Sequence, residues 1–209
     1  MNQRIECFGA SRPQDGRSIN EDAFFISHGE NPCAVLCDGA GNAQLAAKKV
    51  VSLFTRFFNQ STSEQIAQTA TWNNWVKLLD SSMLGGNQST FLAVAFLDGK
   101  IIGACAGDSR AYLIDRDGNC RILTEEASKY RLGSGNARAF PINLPLGTSE
   151  TLLLLSDGAW TPLGLYILKK TVLAARIGRS FSDLPQAVLD AAGKCGRADD
   201  MTAIAVRAI

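Results

Sequence analysis

Asp-Gly pairs punctuate this chain, and two of them stand where a turn does not account for them. The pair occurs at 15–16, 38–39, 98–99, 117–118 and 157–158. Asp-Gly is a strong hairpin signal, because Gly takes positive φ freely and Asp tolerates it. The pairs at 98–99 and 117–118 fit that reading: STFLAVAFL turns into KIIGACAG, and RAYLID into NCRILT. At 38–39 and 157–158 an apolar run, AVLC or LLLLS, leads into Asp-Gly-Ala, and the pattern beyond is helical or irregular. A continuous apolar run of this length reads as a strand buried on both faces. Such strands need cover on both sides, so the chain reads as sheets in the middle with helices outside.

The remaining pattern fits this α/β layering. Strands are predicted over 22–27 (DAFFIS), 32–37 (PCAVLC), 151–156 and the terminal MTAIAVRAI. A helix is predicted over 43–58, because Ala47, Val50, Phe54, Phe57 and Phe58 fall at helical spacing. Ser61 and Thr62, followed by Glu64 and Gln65, form overlapping capping boxes before a helical region that runs to about Leu84 with a break near Thr71. Further helices are predicted over 163–177 and from Ser182 or Asp183 to Gly193. Residues 125–149 are Gly- and Pro-punctuated and weakly periodic. With no linker or repeat, the 209 residues read as a single domain, 1–209.

Composition narrows the function. With 21 Lys+Arg against 20 Asp+Glu the chain lacks the basic surplus of a nucleic-acid binder. It shows no signal-peptide pattern and no apolar run of membrane-spanning length, so a cytoplasmic protein with no membrane partner is expected. The six cysteines form no C-x-x-C pair and read as reduced thiols. The lone His28 rules out an H-E-x-x-H site and reads as a surface turn residue. Cys33 and Cys37 read as core thiols, Trp72 and Trp75 as packing residues, and Lys169-Lys170 with Arg176 and Arg179 as a solvated helix face.

Asp38 and Asp157 are carboxylates at the ends of core strands. An unpartnered carboxylate there is costly to desolvate. No Lys or Arg lies close to either in sequence, and the only His is remote. A metal ion is the natural partner, and an all-oxygen donor set favours Mg²⁺ or Mn²⁺. Glu21-Asp22, Asp108 and Asp199-Asp200 also stand at strand edges, so carboxylates recur there along the whole chain.

These positions form a series. Arg17-x-x-x-Glu21-Asp22-Ala23, Asp38-Gly39-x-Gly41, Ser89-Thr90, Gly107-Asp108-Ser109-Arg110-Ala111, Ser156-Asp157-Gly158 and Asp199-Asp200-Met201-Thr202 follow the order of the protein phosphatase 2C motifs. From about residue 9 onward the chain resembles that family of metal-dependent Ser/Thr protein phosphatases, in its small bacterial form. The resemblance implies a central antiparallel β-sandwich flanked by helices, a four-layer αββα arrangement. It also implies two divalent metals, Mn²⁺ or Mg²⁺, that activate a bridging water for direct attack on a phosphoryl group. By position, Asp38 would bridge both metals and the Gly39 carbonyl would bind one. Asp157 and Asp199 would complete one shell. Asp22 would serve the other, with Glu21 acting through water. Asp108, with Asp157, matches a third metal position, and Arg17 would grip the substrate phosphate as a planar fork.

The chain departs from the family pattern in places. Asn42 replaces a Gly, Ala40 stands where some members carry His, and only 49 positions separate Asp108 from Asp157. The last departure implies a shortened flap around 125–149 and an open site. The expected function is dephosphorylation of phosphoserine and phosphothreonine on proteins, opposing a Ser/Thr kinase in signalling, by a monomer. The alternative is a catalytically weak phosphatase-like module that binds phosphoproteins. A two-metal nuclease is disfavoured by the neutral charge and the lack of interleaved basic and aromatic residues.

Overall fold

The structure is a computed structural model that describes residues 4–40, 45–127, 129–178, 180–196 and 199–209. Gly41, Asn42 and Arg179, singled out above, lie outside the described residues.

The chain begins with strands β1 (Ile5–Arg12), β2 (Asp22–Ser27) and β3 (Cys33–Ala40), then helices α1 (Ala46–Asn59), α2 (Ser63–Ile66) and α3 (Thr69–Met83). The short β4 (Gln88–Ser89) precedes β5 (Phe91–Leu97), β6 (Lys100–Ala106), β7 (Arg110–Ile114), β8 (Cys120–Ile122), β9 (Phe140–Pro145) and β10 (Thr151–Leu155). Helices α4 (Asp157–Trp160), α5 (Leu165–Gly178) and α6 (Leu184–Lys194) lead to the last strand, β11 (Met201–Ala208).

Two antiparallel sheets form, ordered β1-β11-β10-β7-β8 and β2-β3-β5-β6-β9, with β4 paired to β3. Their facing sides meet in a core that contains Leu36, Leu92 and Val94 from one sheet and Leu152, Leu154, Ile204 and Val206 from the other. The alternate residues point outward. Val35, Phe91 and Ala93 pack under Phe54, Trp72, Trp75 and Leu79 of α1 and α3. Leu153, Leu155, Ala203 and Ala205 pack under Leu168, Val172, Val188 and Leu189 of α5 and α6. Alternation on a strand with both faces covered makes every position apolar. This is why AVLC and LLLLS have no polar gaps. Each fully buried Leu is worth about 1.5–3 kcal/mol. The layers run α/β/β/α, as the resemblance implied.

Local chemistry sets the helices. Ala46, Ala47, Val50, Phe54 and Phe58 are the buried stripe of α1. Thr62 and Gln65 make a reciprocal capping box at α2, with the Thr62 hydroxyl accepting from the Gln65 N–H and Gln65 Oε1 from the Thr62 N–H. The Asp-Gly pair at 98–99 is the β5–β6 turn, with both residues at positive φ. All six cysteines are free thiols, with Cys33 and Cys37 buried under the helices. Trp72 and Trp75 pack against Phe54 and each other. Arg176 is less exposed to solvent than a plain charged face requires: it donates to the Ile114 and Asp115 carbonyls and to Thr151 Oγ1. No helix among the described residues is long and apolar enough to cross a membrane.

Strands β1 and β9 are absent from the sequence reading. Both are edge strands, and each lacks a long buried run. Pro141 and Pro145 sit within β9, where the free edge removes the need for their missing N–H groups.

Candidate metal centre

The β2–β3 register sets Asp22 directly opposite Asp38, so the two carboxylates share one face. Thr90 brackets the Asp38 backbone. Its hydroxyl accepts the Asp38 N–H at 2.9 Å, and its own N–H donates to the Asp38 carbonyl at 2.8 Å. Ser109 Oγ lies 2.8 Å from the Thr90 hydroxyl. The Ser89-Thr90 motif is thus a scaffold for Asp38. Gly107, at φ +101°, turns the chain beside Thr90 and delivers Asp108 to the same end of the sandwich.

Asp157 opens α4 directly beyond β10. Its neighbour must be glycine: a Cβ on Gly158 would collide with the Asp200 carbonyl oxygen and stand 3.1 Å from the Asp199 Cβ. Asp199 is exposed at this edge, its Oδ1 accepts the Asp200 N–H at 2.9 Å, and its charge acts on Asp157. Asp38, Asp108 and Asp157 each present an oxygen within 4.8 Å of the others. The Gly39 N–H donates to the Glu21 carbonyl at 3.2 Å, tying those two backbones together. Arg17 is at the rim, half exposed, its Nη1 donating to Glu21 Oε2 at 3.2 Å. His28 follows the far end of β2, about 20 Å of strand away from Asp22.

Burial and mutual repulsion dominate the electrostatics. Burial pushes the Asp22 carboxyl up to about 7, aided by Asp200 and Asp157; nearby Thr202 and Ser156 hydroxyls pull the other way. Neither Asp22 oxygen accepts a well-formed hydrogen bond among the described residues. Thr202 Oγ1 also pairs with Ser11 Oγ at 2.7 Å and Ser156 Oγ accepts the Thr202 N–H at 2.8 Å, which leaves each hydroxyl able to turn its hydrogen toward Asp22. Burial, then Asp22 and Asp157, pushes Asp38 up to about 9. Asp157 is raised by burial, then by Asp108 and Asp199. Such a set ionises fully only beside cations. Orphaned buried oxygens in an all-carboxylate cluster fit hard divalent ions such as Mg²⁺ or Mn²⁺.

Three further residues shape the site: Asp200, which the motifs contain without revealing its role, and two outside the motifs. Asp200, 3% exposed, accepts the N–H groups of Gln14 and Glu21, both at 2.6 Å, and so fastens the loop that carries Arg17. Arg131 lies among the carboxylates. Its Nη2 is 3.1 and 3.2 Å from the two Asp108 oxygens and 3.5 Å from both Asp157 Oδ2 and Asp38 Oδ2. Burial opposes its charge, but Asp38, Asp108 and Asp157 hold its pKa up. Asp80 is the third. It accepts the Gly133, Gly135 and Ala137 N–H groups from its place in α3. A signal for it existed: it is an acid on the buried stripe of Trp72, Val76, Leu79 and Met83, and so needs a partner from elsewhere. The segment near 131–137 is therefore tied down, and the cation near Asp38 that is missing locally in sequence comes from Arg131. The short span between Asp108 and Asp157 thus carries a residue, Arg131, into the site.

The arrangement belongs to a known class of fold. It matches the S. agalactiae serine/threonine phosphatase at TM-score 0.80 and 19% identity, over 97% of this chain and 99% of that one. It matches the catalytic domain of the serine/threonine protein phosphatase PstP in complex with two manganese ions at 0.82 and 17%, over all of both chains. Stp1 from Staphylococcus aureus matches at 0.82 and 20%, over 100% of this chain and 96% of that one. At this identity the likeness defines the fold, that of protein phosphatase 2C catalytic domains. The Stage II sporulation protein E (SpoIIE) family model matches residues 28–209, and the chain belongs to that protein phosphatase 2C-like family. No curated protein matches the chain significantly in sequence.

Proposed function

We propose that the protein is a metal-dependent phosphatase acting on phosphoserine and phosphothreonine in proteins. The observation that carries this reading is the convergence of Asp22, Asp38, Asp108 and Asp157 from separate strand ends, with both Asp22 oxygens buried and accepting no well-formed hydrogen bond among the described residues. In this reading Asp22, Asp38, the Gly39 carbonyl, Asp157 and Asp199 hold two divalent ions, Mn²⁺ or Mg²⁺. Glu21 acts through water, and Asp108 with Asp157 serves a third ion. Bound, the ions supply an activated water for direct attack on phosphorus and neutralise phosphoryl charge.

The chain's own residues do the positioning. Thr90 holds the Asp38 backbone, Asp200 holds the Arg17 loop, and Arg17 turns from Glu21 to the substrate phosphate. A guanidinium suits this, because its planar fork pairs two phosphate oxygens. The reaction needs no protein nucleophile, which agrees with buried, inert thiols: burial pushes the Cys33 and Cys105 thiols up to about 12. The substrates would be phosphoproteins of a cognate Ser/Thr kinase, the compartment cytoplasmic, the protein a monomer and the whole chain one catalytic domain.

The test is hydrolysis of p-nitrophenyl phosphate and of a phosphothreonine peptide with Mn²⁺, with Mg²⁺ and with EDTA. Metal-dependent turnover of both, lost in EDTA and in Asp38→Asn, is the expected result. Silence in a protein that binds Mn²⁺ would replace this reading with a phosphoprotein-binding module.

A further inference from the structure

Arg131 has no task in the reading above, on which the following rests. We propose that Arg131 is a tethered cation that competes with a divalent ion for the oxygens of Asp38, Asp108 and Asp157, so that an ion is held there only when the guanidinium withdraws.

The first support is the contact geometry. A guanidinium paired for structural purposes meets one carboxylate fork to fork. Here one nitrogen, Nη2, faces three carboxylates at 3.1–3.5 Å, including both oxygens of Asp108. That is how a cage receives a cation. The second support is exclusion. An ion bound about 2.0–2.6 Å from these oxygens would lie within contact of Nη2 and repel it, so the two cannot share the cage.

The third support is the tether. Leu132 is fully buried and exchanges both backbone hydrogen bonds with Ser89, at 2.8 and 3.2 Å. Asp80 holds the next turns at Gly133, Gly135 and Ala137. The backbone at 131 is thereby fixed to the strand that precedes Thr90, the residue that brackets Asp38. The guanidinium therefore enters and leaves by side-chain rotation alone, at a high and constant effective concentration. One positive charge facing three carboxylates compensates them incompletely. A divalent ion therefore displaces it, but with weakened affinity. Among the described residues Arg131 pairs with Asp38, Asp108 and Asp157, so the competition acts through these three carboxylates.

The experiment is Mn²⁺ titration, read by electron paramagnetic resonance of free Mn²⁺, into stripped wild type, Arg131→Met, Arg131→Lys and Asp38→Asn. Arg131→Met keeps much of the apolar stem, and a thermal melt checks its folding. If the stripped Met variant fails to fold, Arg131→Lys carries the test. The expected result is that Arg131→Met holds one ion at least about tenfold more tightly than wild type, the usual size of coupling between competing interactions. Arg131→Lys should fall between them, and the same titration of Asp108→Asn alone and of Asp108→Asn with Arg131→Met should show the difference erased. Equal or weaker Mn²⁺ binding in both Arg131 variants, with binding still lost in Asp38→Asn, would overturn the proposal and leave Arg131 a structural ion pair. Absence of any Mn²⁺ binding that Asp38→Asn removes would overturn the metal-site reading itself.

Discussion

Replacing Asp200 with Asn tests whether one buried carboxylate positions the phosphate-binding loop. In wild type its two oxygens accept the Gln14 and Glu21 N–H groups, each at 2.6 Å. Hydrogen bonds to a charged partner contribute about 1.5–3 kcal/mol each. Asn keeps the shape but turns one acceptor into an N–H₂ group facing an N–H donor. One bond is lost and one buried donor is stranded. The Asp200 charge also pushes Asp22 up, so its removal returns part of the loss. A net cost of about 2–4 kcal/mol follows. In a domain of this size that lowers Tm by on the order of 10 °C.

The functional consequence runs through Arg17. Its loop is released at one or both fastening points, so KM for a phosphothreonine peptide should rise more than kcat falls. The assay combines thermal melts, amide exchange at Gln14 and Glu21, and steady-state kinetics of Asp200→Asn, Arg17→Ala and the double variant. If Asp200 acts by holding Arg17, the two KM effects are less than additive. Unchanged protection at both amides, with Tm within about 1 °C of wild type, would refute the reasoning.

Two further outcomes are expected. The folded-state values of Asp22 and Asp38, about 7 and about 9 against an ordinary 3.8, mean that the folded protein keeps protons the unfolded chain gives up. Their contribution to stability is complete below about pH 4 and is lost as pH rises through 7 and 9; melts in EDTA should therefore fall with pH across that window, saturating Mn²⁺ should flatten or reverse the slope, and a rising profile in EDTA would count against it. Thr90→Val should cost about 1–3 kcal/mol by stranding the Asp38 N–H, whereas Thr90→Ser keeps the hydroxyl and should lose less than Val; urea denaturation that ranks them the other way would remove Thr90 as the Asp38 scaffold.

The legible parts of this protein are those in which a local pattern carries the whole constraint. Strands β3, β5, β10 and β11 lie inside their sheets with both faces covered, so their burial is written as unbroken apolar runs. Asp38, Asp108 and Asp157 are legible as candidates because each stands at the end of an interior strand, Asp22 because it opens the edge strand β2, and the motif order adds Glu21, Gly39, Asp199 and Arg17 as candidates. Edge strands β1 and β9 carry a weaker pattern, since one side of each pairs with nothing in its sheet. Arg131 lies within a Gly-punctuated stretch with no period to read. Asp200 resembled one more acid in a motif, and nothing local distinguishes a carboxylate that binds a cation from one that binds two N–H groups.

By itself, then, the sequence determined the layers and the ends at which the carboxylates stand, because burial periodicity is a property of neighbours along the chain. Tertiary structure alone decided what each charge faces. The β2–β3 register set Asp22 against Asp38, the turn after β10 put Gly158 under Asp200, and the Asp80 clamp brought Arg131 to Asp38 and Asp108 from 93 and 23 positions away in the chain. Electrostatic partnership depends on distance through space, and the chain acquires those distances only when its sheets close on one another.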